Sequence, residues 1–111
     1  MNSYSVVFSE LAETDLVEIV NYYESRSRKF AVELYVKLKG RVLELARTPE
    51  RGHRVPELER KGIEDFRELI EGNYRIVYAI SGERVLVHAI VDSRRNLEEV
   101  LIKKLILSQG T

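Results

Sequence analysis

The sequence contains no cysteine and no tryptophan. Without thiols there is no cysteine nucleophile, no disulfide bracing and no cysteine–zinc site, a composition that suits a reducing cytoplasm. Proline occurs only twice, at positions 49 and 56, and no interdomain linker, repeat or low-complexity tract stands out. The apolar runs are too short to span a bilayer. The opening Met1-Asn2-Ser3-Tyr4 has neither the basic start nor the apolar core of a secretion signal. An excess of one charge is also missing, with 18 basic residues against 18 acidic. A dedicated nucleic-acid binder carries a basic excess, so this balance counts against tight general binding to RNA or DNA. Two histidines far apart give no metal-ligand spacing. The turns at Gly72 and Gly82 make no phosphate loop, and no serine sits in a nucleophile elbow. The expectation is one soluble, cytoplasmic domain over residues 1–111, with no cofactor, no metal and no membrane association.

What is present is a clear change of period along the chain. Tyr4–Phe8 is β-branched and aromatic and reads as a strand. Ser9 then stands as an N-cap, with Glu10 and Glu13 in the first turn. Leu11, Leu16, Ile19, Val20 and Tyr23 follow helical spacing to about Glu24. After the break Ser25-Arg26-Ser27, Phe30, Leu34, Leu38, Val42 and Leu45 predict a second helix over 28–47, ended by Thr48-Pro49. Residues 49–65 read as a long ordered loop. From Phe66 the period becomes two. Strands are expected at 66–70, 74–80 and 84–91, joined by turns at Gly72 and Gly82. The last two are apolar on both faces, as strands covered on both sides are. Asn96 then caps a C-terminal helix carrying Leu97, Val100, Leu101 and Leu105. The fold class is α+β in the order β-α-α-β-β-β-α: a curved, mainly antiparallel sheet with the N-terminal helical hairpin on one face and a C-terminal helix.

This order, with the segments TPERGHRVPEL, DFRELIEGNYRIVYAI and VHAIVDSRR, resembles the RelE/ParE superfamily of toxins. The most specific stretch is Phe66-Arg67-Glu68-Leu69 followed by Tyr74-Arg75-Ile76-Val77-Tyr78. The resemblance implies the toxic half of a prokaryotic type II toxin–antitoxin pair, a growth inhibitor or plasmid-stabilisation protein neutralised by a cognate antitoxin. RelE-like members cut messenger RNA in the ribosomal A site. ParE-like members act on DNA gyrase by protein binding. Whether the chain is an enzyme therefore turns on its side chains.

Metal-free RNA cleavage needs a base for the 2′-hydroxyl, cations for the phosphate and an acid for the leaving oxygen. By the resemblance, Arg75 falls on a phosphate-binding arginine and Arg94 on a second. The strand positions of the RelE lysine pair hold Phe66 and Glu68. The place of its catalytic tyrosine is taken by Val100 or Leu101. Against relatives that use a glutamate, an arginine and a histidine–tyrosine end, Glu57 and Arg67 match and the ending does not. The candidate catalytic set, should the chain be a nuclease, is Arg67, Arg75, Arg94, Glu57 and His53. Each has a plainer reading: Arg75 pairing with an acid such as Glu68, Arg67 likewise, Arg94 as solvated charge, Glu57 and His53 as loop surface. His88, sharing a face with Leu86 and Ile90, reads as a packed histidine. The missing lysines and tyrosine favour the ParE-like branch. A ribosome-dependent ribonuclease and a non-toxic interaction module with the same fold stay as alternatives. Leu97, Val100, Leu101 and Leu105 are candidates for an antitoxin surface, although a core role is their commoner use. A homodimer is left open.

Overall fold

The computed structural model describes residues 3–101 and 103. Strand β1 (Ser5–Phe8) leads into helix α1 (Glu10–Glu24) and helix α2 (Arg28–Leu43), with a single 3-10 turn at Glu44–Ala46. Ser9 caps α1 by accepting from the Ala12 amide at 3.0 Å. Ser27 caps α2 through the Phe30 amide at 3.2 Å. Both are expected of a short polar side chain preceding an apolar periodic run. The second helix ends as α-helix at Leu43 rather than at Arg47, because the last residues tighten into the 3-10 turn before Pro49.

Three strands follow: β3 (Phe66–Glu71), β4 (Tyr74–Ser81) and β5 (Arg84–Asp92). Their connecting turns open with Gly72 and Gly82 at φ 57° and 59°, the left-handed region that a two-residue hairpin turn demands and a Cβ disfavours. The segment expected as a loop holds two small elements, β2 (His53–Arg54) and helix α3 (Pro56–Glu59). A two-residue strand and a four-residue helix are too short to show a period, which is why composition alone read them as loop. Pro56 sits in the first turn of α3, where its missing N–H costs nothing.

The sheet order is β1-β5-β4-β3-β2. Only β1 and β5 are parallel; every other pair is antiparallel. Alternation along the strands builds two cores. On one face Leu69, Tyr74, Ile76, Tyr78, Val85 and Val87 pack under the helical hairpin. On the other, Val77, Ala89 and Val91 pack under Val55 and Leu58 and under the C-terminal helix that starts at Leu97. Asn96 caps that helix through the Glu99 amide at 3.2 Å. Asp15 of α1 is buried and accepts from the Ile90 amide at 2.9 Å, tying the hairpin to β5.

Next to that tie the β4–β5 register shifts. Val77 pairs with Ala89 and Tyr78 with Val87, so His88 is an extra residue. The bulge turns His88 onto Phe66, ring centroids 5.2 Å apart, while Ile90 belongs to the hairpin-side core. A strict alternation places His88 and Ile90 on one face; the bulge separates them.

Candidate functional site

On the sheet face away from the hairpin, four of the singled-out polar residues converge. Ile70 of β3 pairs with Arg75 of β4, so Glu68, two residues earlier, lies diagonally across from Arg75 on the same face. His53 of β2 stands directly opposite Glu68. Glu57 comes from the first turn of α3.

The contacts form a closed set. Arg75 Nε donates to Glu68 Oε1 at 2.6 Å and Nη2 donates to Oε2 at 3.1 Å. The two terminal nitrogens also reach Glu57, Nη1 to Oε2 and Nη2 to Oε1, both at 2.7 Å. His53 Nε2 lies 2.7 Å from Glu68 Oε2. Glu68 is only 2% exposed. A carboxylate that dry is held only when its oxygens are satisfied, and both of them are. The Arg75 guanidinium holds the Glu57 carboxyl below its ordinary value, chiefly through the direct hydrogen bond. Glu57 and then Glu68 raise Arg75 further above its own. One guanidinium thus faces two carboxylates, with the His53 ring against the second.

The segment that delivers His53 and Glu57 is pinned from the opposite face. Tyr78 donates to the Pro49 carbonyl at 2.7 Å and accepts from the Gly52 amide at 2.9 Å. Arg67, register partner of Tyr78, donates to the carbonyls of Gly52 at 2.6 Å and Glu50 at 3.3 Å. A Cβ on Gly52 would lie 2.5 Å from the Glu68 carbonyl oxygen and 2.7 Å from the Tyr78 hydroxyl. Glycine is required there by close approach, not by backbone twist.

Of the five candidate catalytic residues, His53, Glu57 and Arg75 therefore come together. Arg67 and Arg94 do not join them. Arg67 serves the backbone of residues 50–52. Arg94, in the turn after β5, is spent on Asp92 at 2.9 and 2.6 Å, and this pairing pulls the Asp92 carboxyl down to about 2. It borders a cleft of about 230 Å³ between α1 and the sheet end, with Asp15, Glu18, Tyr22, Tyr23 and Tyr74. Burial and the Tyr23 hydroxyl push the Tyr74 phenol well up, so its proton stays in place at neutral pH. Leu97, Val100 and Leu101 are buried in the second core against the chain's own sheet. Leu105 lies outside the described residues. Glu68 is the residue the candidate set lacked. The signal for it was available: a lone acid alternating with Phe66 and Ile70 on a strand, facing Arg75 across a glycine turn. Among the described residues no group of three or more His, Asp or Glu side chains is placed to hold a metal ion, and no helix is long and apolar enough to cross a membrane.

Comparison with known proteins places the chain. The family described as ParE toxin of type II toxin-antitoxin system, parDE, matches residues 6–97. Among solved structures, the chromosomal ParDE toxin–antitoxin system from P. aeruginosa is similar, with a TM-score of 0.67, 17% identity, and 81% of this chain and 96% of that chain covered. The toxin–antitoxin complex RelBE2 from Mycobacterium tuberculosis is similar at a TM-score of 0.56, 20% identity, and 81% and 98% coverage. No curated protein sequence matches. The chain belongs to the ParE toxin family of type II toxin–antitoxin systems, and the two structures share its fold.

Proposed function

We propose that this ParE-family toxin arrests growth by binding a protein target, DNA gyrase being the target its resemblance points to, and that it does not cut RNA. One observation carries this reading: the arginine best placed to hold a phosphate is consumed. Four N–H···O contacts from Arg75 end on Glu57 and Glu68. A phosphodiester entering there meets two carboxylates and must displace a bidentate one that lies as close as a charge-assisted hydrogen bond allows. The resemblance also leaves the lysine pair and the tyrosine of the nuclease branch unfilled, with Phe66 and Glu68 at the lysine positions. A cognate antitoxin is the proposed inhibitor, in the cytoplasm; the two similar structures are themselves toxin–antitoxin systems.

The ribonuclease reading keeps one point in its favour, the convergence of His53, Glu57 and Arg75. It requires Glu57 to swing off Arg75 and act as the base. A short pulse of expression separates the two. Growth arrest with intact messages, and trapped cleaved DNA on gyrase, is the outcome expected. Cuts at ribosome-occupied codons that disappear in Glu57→Gln would establish the nuclease instead. Folded protein that causes no arrest would leave the non-toxic interaction module.

A further inference from the structure

The second sheet face changes character partway along its strands. Val77 and Ala89 are fully buried in the cluster that Leu97, Val100 and Leu101 complete. The next outward residues form one register row across four strands. Val7 of β1 pairs with Leu86 of β5, Leu86 with Ala79 of β4, and Ala79 with Phe66 of β3. The bulged residue His88 joins this row through its ring contact with Phe66. None of the five is buried, and Val7 is 36% exposed. A sheet face left to water carries polar side chains at its outward positions. This row is apolar apart from one imidazole, and it continues a face that is already covered.

The occupant follows from where the described chain stops. Arg95, just before the C-terminal helix, shares a cleft with Glu18, Ile19 and Tyr22 in the second half of α1. Val100 and Lys103 border a gap with Leu11 and Thr14 in its first half. The C-terminal helix therefore runs back along α1 toward the end where the Ser9 hydroxyl donates to the His88 carbonyl at 3.2 Å, beside the open row. A four-residue step along a helix and a two-residue step along a strand both advance about 6 Å. Leu97 and Leu101 make one such step in the cluster with Val91 and Ala89. The next residue at that spacing is Leu105, and the next outward residues of β5 are His88 and Leu86. Residues 104–111 lie outside the described residues; their apolar side chains fall together at 105–107. Eight residues reach at most about 26 Å, and a row across four strands spans about 14 Å. We propose that residues 104–111 close over the Val7–Leu86–Ala79–Phe66 row, with Leu105 against His88 and Leu86, so that the toxin's own C-terminus completes its second core. A segment tethered beside the row meets it at high effective concentration and without the loss of freedom that a separate partner incurs.

The test uses the absence of cysteine: Ser108→Cys in the full chain carries a single nitroxide spin label, and NMR spectra read which signals it broadens. Selective broadening of Val7, Leu86, Ala79 and His88 is expected, with Val36 on the outer face of the hairpin unaffected. Leu105→Asp in the labelled chain is expected to abolish the selective broadening, and Leu105→Met to keep it. Both changes lie near the chain end, so a native spectrum for the remaining residues shows that the fold is intact. Weak broadening spread over the whole chain overturns the proposal, as does broadening centred on Val32 and Val36. A pattern unmoved by Leu105→Asp overturns it too. Broadening that appears only as protein concentration rises, or in unlabelled chains mixed with labelled ones, assigns the row to the terminus of a second copy instead. A row left unbroadened whose signals shift only when antitoxin is added belongs to the antitoxin, and the proposal is refuted.

Discussion

Removing Arg75 should cost far more than a surface arginine does. Its side chain is 13% exposed, and its two partners differ in what they do without it. Glu57, 21% exposed, swings out and regains water. Glu68 cannot: it is 2% exposed and would keep only the His53 contact at 2.7 Å. Stranding one member of a buried pair costs about 3–5 kcal/mol. A domain of this size has roughly 5–15 kcal/mol in hand. The midpoint of Arg75→Ala should therefore fall by roughly 12–20 °C, taking about 4 °C per kcal/mol near this length. Thermal melting followed by circular dichroism checks it, and urea unfolding should show the slope m unchanged if only stability moves. The double variant Arg75→Met, Glu68→Leu removes the stranded charge along with its partner and should recover most of the loss. A single variant within about 1 kcal/mol of wild type, or a double variant no better than the single, refutes the account of Glu68 as a dry carboxylate held by one guanidinium. The result also governs how toxicity is tested. Loss of growth arrest in Arg75→Ala follows from unfolding as readily as from lost chemistry, so Glu57→Gln, whose partner stays bound to Glu68, is the variant that isolates a catalytic role.

How much of this was legible depended on the range of the interactions. The helical hairpin and the β3–β5 meander are local: Ser9 and Ser27 cap at i+3, and Gly72 and Gly82 fix two-residue turns. Those turns fix register, and register puts Glu68 and Arg75 on one face, so the plain reading of Arg75 as an ion-paired strand residue was available and is what the structure contains. The convergence of His53 and Glu57 on the same arginine was not legible. It depends on β2 and α3, six residues in all, whose positions are set by Tyr78, Arg67 and the missing side chain of Gly52 across 15 to 29 positions of sequence. Nothing in the local pattern of 49–65 encodes that. The bulge at His88 was hidden for the same reason: alternation assumes an unbroken ladder, and the break is recorded only in the pairing of two strands. The C-terminal leucines show a different limit. Helical spacing identified an apolar stripe, but only the second sheet face determines that Leu97, Val100 and Leu101 are its cover.

Three further outcomes test the anchoring of the site. Gly52→Ala forces a Cβ against the Glu68 carbonyl at 2.5 Å; backbone cannot yield as a flexible side chain does, so a loss of about 1–3 kcal/mol is expected, read by thermal melting and accompanied by broadening of the His53 ring signals in NMR spectra. Tyr78→Phe keeps the ring packed but leaves the Gly52 N–H and the Pro49 carbonyl without a partner, costing about 1–3 kcal/mol; wild-type stability would mean that the segment is held by Arg67 alone. The last outcome concerns acid. Arg75 holds the folded-state carboxyl of Glu57 below its ordinary value, whereas in the unfolded chain that carboxyl titrates near about 4.3. A group with a depressed folded pKa stabilises the native state above the unfolded value and loses that contribution as pH falls through the folded one. Wild type and Glu57→Gln should thus differ most at neutral pH and converge as the solution is acidified below about pH 4. His88 adds a separate slope at higher pH. Burial lowers its folded pKa, so the native state resists its protonation, and stability declines as pH drops below about 6.5. His88→Gln should flatten that upper limb and leave the acid limb unchanged. A Glu57→Gln curve parallel to wild type down to acid would show that Arg75 draws its stabilisation from Glu68 alone, and that Glu57 is free to leave.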